Sequence, residues 1–153
     1  MLKVGDKAPD FNLNSSDGSN ISLDQLKGKK IVIYFYPKDD TPGCTIEACE
    51  FRDANNDISN AGAVVFGVSK DNLTSHHKFI SKFGLNFPLL SDEDGQMCNL
   101  YGAWGEKTSF GKTTFGILRI TFLIDEFGVI AKIWNNVKPE GHSKEVLDAI
   151  ESL

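Results

Sequence analysis

Two cysteines, Cys44 and Cys49, lie five residues apart in the stretch YFYPKDDTPGCTIEACEF, which runs from Tyr34 to Phe51. A cysteine attacks or binds metal through its thiolate, so the chemistry turns on what would favour that form here. Thr41-Pro42 is a helix-start signal: threonine can cap, and proline fits the first turn, where its missing N–H costs nothing. Cys44 then falls in the first turn of the helix. Free N–H groups and the positive end of the helix dipole meet there, and both favour a thiolate over a thiol. Asp39 and Asp40 oppose this if their carboxylates lie close, and the first cation downstream is Arg52. The plainer alternative is a small buried cysteine that happens to follow a cap.

Spacing excludes several other cysteine chemistries. A C-x-x-C redox motif has two intervening residues, whereas four separate Cys44 from Cys49. A plant-type iron–sulfur run would continue to a third cysteine at the position of Arg52. A phosphatase loop would put arginine where Glu50 stands. A zinc site would need two more ligands. His76 and His77 are adjacent on a predicted helix and point about 100° apart, which reads as a solvated face. His142 is placed to cap the last helix. The run GEKTSFGKTTFG holds Gly-Lys-Thr, but a phosphate-binding loop requires glycine where Glu106 stands. It reads as a glycine-rich surface loop.

The elements that must position these thiols follow from pattern. KKIVIYFYP is a β-branched and aromatic run closed by Pro37, as expected of a strand covered on both faces. Residues 42–60 read as helix, AVVFGVS as a second buried strand, and NLTSHHKFISKFG as an amphipathic helix ending at Gly84. FPLLSD is a short strand and GQMCNLYGAW holds a short helix. ITFLIDEFGVIAKIW reads as a hairpin turning at Glu126-Phe127-Gly128, and HSKEVLDAIESL as a closing helix. Turn residues in LNSSDGSNISL predict a hairpin near the N-terminus. Strands alternating with helices predict an α/β fold with a central mixed sheet flanked by helices.

Composition limits the function classes. A length of 153 residues suits one domain over residues 1–153, and a net charge of −5 without a basic cluster argues against nucleic-acid binding. No apolar run reaches the ~20 residues of a membrane span, and the N-terminal stretch lacks the apolar segment of a secretory signal. The chain is therefore expected in the cytoplasm. Three cysteines, an odd number, do not suggest a secreted disulfide scaffold. In a reducing compartment a close pair points to redox chemistry or a metal.

Pro37, Thr41 and Cys44 in YPKDDTPGC fit P-x-x-x-T-x-x-C, and this stretch resembles the active-site signature of the peroxiredoxins. TIEACEFRD, with its second cysteine, is similar to the bacterioferritin-comigratory (PrxQ) branch. GDKAPDFNL, YGAWGEK and GILRITFLID extend the resemblance over almost the whole chain, with Ile120 standing where a small polar residue is expected. The resemblance implies a thioredoxin-like fold and a thiol peroxidase acting on hydrogen peroxide and organic hydroperoxides, without cofactor or metal. Cys44 would be the peroxidatic residue, Thr41 would hold the peroxide, Pro37 would shield the sulfur, and Arg119 would supply the missing cation from the hairpin strand. Glu47, one turn after Cys44, could orient Arg119. Cys49 would resolve the oxidised Cys44 as an intramolecular disulfide, and thioredoxin or glutaredoxin would reduce it. The chain would act as a monomer. Cys98 has no assigned role and reads as a core residue. A non-enzymatic redox sensor that signals to a partner protein would use the same thiol.

Five residues of helix give a rise of about 7.5 Å and a rotation of about 140°, whereas a disulfide needs Cα atoms within roughly 7 Å and converging Cβ vectors. The helix must then unwind before the two sulfurs can join. Gly43 weakens the first turn by about 1 kcal/mol relative to alanine.

Overall fold

The computed structural model describes the backbone of residues 1–153 and every side chain except that of Ser109. An N-terminal hairpin, β1 (Asn12–Ser15) and β2 (Asn20–Ser22), precedes β3 (Lys30–Phe35), α1 (Pro42–Asn60), β4 (Ala63–Ser69), α2 (Leu73–Phe83) and β5 (Leu89–Ser91). Then follow α3 (Gln96–Leu100), the hairpin β6 (Trp104–Ser109) and β7 (Lys112–Ile117), the hairpin β8 (Thr121–Ile124) and β9 (Ile130–Trp134), and α4 (His142–Glu151). Seven strands form one sheet in the order β2-β1-β5-β4-β3-β8-β9. β3, β4 and β5 pair in parallel, which requires crossovers, and α1 and α2 supply them. The outer pairs are antiparallel.

Alternation along β3 sorts the core. Val32 and Tyr34 join Val65, Leu89 and Leu123 under α1, α2 and α4. Ile31, Ile33 and Phe35 join Phe66, Leu90 and Phe122 under α3 and the N-terminal segment. Both faces are covered, as the unbroken apolar strand predicted.

The helix that carries both thiols is held unevenly. Its later turns are clamped to the end of α2 and the segment after it: the Arg52 guanidinium donates to the Phe83 carbonyl at 2.6 Å, the Asn55 amide to the Asn86 carbonyl at 3.0 Å, and the Asn86 amide to the Arg52 carbonyl at 3.1 Å. Phe51 stacks on Tyr34 with ring centroids 4.7 Å apart. Among the described residues the first turn has no such clamp to α2; its buried side chain is Cys44, with Glu47 one turn on.

Two expectations need correction here. Residues 105–116, read as a surface loop, belong to an antiparallel ladder of six pairs between β6 and β7. Phe110 and Gly111 at its turn both have positive φ, 51° and 75°, the backbone of a two-residue turn whose twist matches that of the strands. Arg119, expected on a hairpin strand, lies in the connector between β7 and β8. Its carbonyl accepts from Val137 N–H at 3.1 Å, which ties the connector to the segment before α4.

Candidate active site

Thr41 occupies the N-cap position of α1, Pro42 the first helical position and Cys44 the first turn. The Thr41 hydroxyl makes no cap bond, contrary to expectation. It donates instead to the Lys38 carbonyl at 2.8 Å. With its proton committed there, the oxygen presents lone pairs as an acceptor.

Cys44 is buried, 1% exposed, and Arg119 Nη2 reaches its sulfur at 3.1 Å. The cation absent from the local sequence is therefore supplied by a residue far along the chain. The other guanidinium nitrogen, Nη1, holds Glu47 Oε1 at 3.1 Å. Glu47 is 1% exposed, and burial pushes its carboxyl up to about 7, against the pull of Arg119. Desolvation of the carboxylate outweighs the ion pair. The predicted role of Glu47 in orienting Arg119 thus has a geometric basis.

Three features escape the linear pattern. Gly43 makes room for the arginine: a Cβ there would lie 2.8 Å from Arg119 Nη2. Tyr34 is buried beneath the site; burial and then the charge of Glu47 raise its hydroxyl well above the usual range. Lys107, on β6, is half-buried, and its ammonium is lowered by burial first and by Arg119 second. A helix-start pattern includes Gly43 but cannot show that Arg119 packs against it, nor can it point to Lys107 on a distant hairpin.

The two histidine expectations are corrected. His76 is fully buried: Nδ1 lies 2.7 Å from Asp39 Oδ2 and Nε2 lies 3.0 Å from the Leu90 carbonyl. His142 is also buried and contacts Thr121 Oγ1 through Nε2 at 2.8 Å, with no cap bond. His77 is exposed, as expected. Asp39 is engaged by Tyr36, Ser75 and His76, and Asp40 pairs with Lys82 at 2.9 Å. All three thiols are free. Cys98 is buried, and burial with Asp92 raises its thiol far above the usual range, which disfavours the reactive thiolate there.

The mixed sheet with its crossover helices is a thioredoxin-like architecture, and at it a helix N-terminus offers a buried cysteine to an arginine, as in the oxidoreductases of that fold. Comparison with known proteins agrees. A model of the AhpC/TSA family matches residues 4–133. Peroxiredoxin Bcp of Escherichia coli K12 is 46% identical over 147 residues, 96% of this chain and 94% of that one. Peroxiredoxin Bcp of Bacillus subtilis is 43% identical over 152 residues, 99% and 97% of the two chains. A structure of the Xanthomonas campestris bacterioferritin comigratory protein, described in connection with its alkyl peroxide reduction activity, superposes with a TM-score of 0.88 at 40% identity, covering 93% of this chain and 90% of that one. The chain belongs to the AhpC/TSA family, as a peroxiredoxin of the Bcp/PrxQ group, and is a peroxidase. Among the described residues, no helix is long and apolar enough to cross a membrane.

Proposed function

We propose that the protein reduces hydrogen peroxide and organic hydroperoxides at Cys44 and regenerates itself through Cys49 and a dithiol partner. One observation carries the reading: the contact of 3.1 Å between Arg119 Nη2 and Cys44 Sγ in the first turn of α1. The Cys44 thiolate attacks the distal peroxide oxygen. An S–O bond forms, the O–O bond breaks, sulfur gives up two electrons, and the leaving oxygen departs as alkoxide or hydroxide to take a proton. Arg119 and the free N–H groups of the helix stabilise the charge that develops. Thr41 accepts a hydrogen bond from the peroxide, and Pro37 shields the sulfur. The donor atoms suit an anionic oxygen transition state and call for no cofactor.

Cys49 then attacks the sulfenic acid of Cys44, forming a disulfide and releasing water, once the first turns of α1 have opened. Thioredoxin or glutaredoxin supplies two electrons to reduce that bond. The chain works as one domain over residues 1–153, as a monomer, in the reducing cytoplasm that keeps its thiols free. The relative described with alkyl peroxide reduction supports organic hydroperoxides as substrates.

Steady-state consumption of hydrogen peroxide and an organic hydroperoxide with each reductant system tests the reading, with Cys44→Ser as control. Turnover abolished in Cys44→Ser supports it, and substantial turnover in that variant overturns the assignment. Stoichiometric oxidation of Cys44 without turnover under any reductant would favour the redox sensor.

A further inference from the structure

The peroxide chemistry makes no use of a buried, densely bonded polar cluster around Asp39. Asp39, in the turn just before α1, accepts from Tyr36 Oη at 2.5 Å and from Ser75 Oγ at 2.8 Å, and shares a hydrogen with His76 Nδ1 at 2.7 Å. Its own N–H donates to Asp71 Oδ2 at 2.9 Å, and the Ser69 hydroxyl holds that same oxygen at 2.7 Å. The Leu90 carbonyl can only accept, so His76 Nε2 donates to it. The His76 and Asp39 side chains are 0% and 3% exposed. One turn is thus fastened at once to the end of β3, the loop after β4, α2 and β5.

Asp39, Asp71 and His76 bring three potential ligand atoms within 4.8 Å of one another. These atoms are already taken up by hydrogen bonds to protein groups, so the cluster is complete without an ion. Nor is stability a sufficient account. A buried ionic or strongly polar pair often stabilises a fold less than apolar side chains of similar volume would. What the cluster does specify is geometry. Asp40, next in the chain, holds a left-handed φ of 57°, a turn conformation that aspartate tolerates better than most residues. On its other side, Lys38 carries the carbonyl that orients the Thr41 hydroxyl.

We infer that His76 is a positioning residue for the peroxide pocket: through Asp39 it fixes the turn at residues 38–41 that aims the Thr41 oxygen at the incoming peroxide. The inference rests on the reading of Cys44 as the peroxide-reactive thiol. Cys44 itself is held separately, by burial in α1 and by Arg119. Loss of the anchor therefore disturbs peroxide alignment more than it disturbs the reactivity of the sulfur.

That separation supplies the test. In a Cys49→Ser background, the rate of Cys44 oxidation by hydrogen peroxide is measured by trapping the sulfenic acid, beside the rate of Cys44 alkylation by iodoacetamide, which needs no peroxide alignment. His76→Gln is expected to slow oxidation by about 10- to 100-fold, the scale of a small misplacement of a reacting group. Alkylation should stay within about threefold of the parent. Ser75→Ala removes one donor to Asp39 and carries the test if His76→Gln folds poorly; it should slow oxidation by about two- to tenfold. Oxidation as fast as in the parent, or both rates falling together, overturns the inference. Failure of the parent to oxidise at Cys44 overturns the reading of Cys44 as the peroxide-reactive thiol, and is seen before any comparison of variants.

Discussion

Gly43→Ala should make the protein more stable and less active at once. Gly43 is the second helical residue of α1, and alanine there favours the helix by about 1 kcal/mol. Its Cβ, however, would stand 2.8 Å from Arg119 Nη2 and 3.5 Å from Pro139 Cγ. Nη2 is the atom that touches the Cys44 sulfur at 3.1 Å. The guanidinium has to swing aside by several tenths of an ångström. It can do so without disrupting the fold, since it is the end of a flexible side chain and 21% exposed. Loss of a well-placed donor to developing charge costs about 2–4 kcal/mol, which corresponds to about 30- to 1,000-fold in rate if the contact is lost outright. Stopped-flow oxidation of Cys44 gives the rate, and urea denaturation at fixed pH gives the stability. An unchanged oxidation rate in a variant with a raised midpoint would refute the steric argument. If the glycine served only to loosen the helix, the substitution would slow disulfide closure and leave the peroxide step alone, so the two roles separate in a single-turnover experiment.

Arg119→Ala should slow Cys44 oxidation by about 30- to 1,000-fold, from the same 2–4 kcal/mol; a rate equal to that of the parent excludes Arg119 from the transition state. Glu47 sits at about 7 in the fold, above its ordinary 4.5. The unfolded chain therefore binds fewer protons between those values, and the contribution of Glu47 to stability is present below pH 4.5 and declines as pH rises towards 7. Glu47→Gln should remove that slope, about 3 kcal/mol across the window, and denaturant midpoints at pH 4.5 and pH 8 that differ equally in both proteins would contradict it. Oxidation should link Cys44 to Cys49 and strip amide protection from residues 42–50. Equal hydrogen exchange there in both redox states, with the bond confirmed by peptide mapping, would mean that no unwinding accompanies disulfide formation.

The start of α1 was legible because Thr41-Pro42 states a boundary in local chemistry, although the side-chain cap implied by Thr41 is absent. The buried strands were legible because parallel sheets covered on both faces leave unbroken apolar runs. Arg119 came only through the resemblance to the peroxiredoxins, since nothing near Cys44 in the sequence marks a residue so far along the chain as its partner. His76 was missed because its neighbour His77 looked like part of the same polar face. Yet His76, Phe79, Ile80 and Phe83 fall at i, i+3, i+4 and i+7, the buried stripe of an amphipathic helix, and that spacing held the signal. The β6–β7 hairpin was missed because Phe110-Gly111 is not among the usual pairs for a turn with two positive φ angles. The steric role of Gly43 depends on an arginine brought in by the tertiary fold, which no local pattern encodes.

The clamps between Arg52, Asn55 and the end of α2 also bear on how fast the protein resets. A free peptide must form a helical nucleus before it can grow, with a statistical weight of about 0.001. On the proposed cycle the first turns of α1 open while the clamped turns stay wound, so reduction leaves a loose strand attached to an intact helical seed. Rewinding is then pure elongation, at about nanoseconds per residue. The return to the peroxide-ready state finishes long before the next molecule diffuses in. Rewinding therefore adds little to the time of the proposed cycle, which is left to the encounters with peroxide and reductant and to the opening of the first turns that disulfide closure requires.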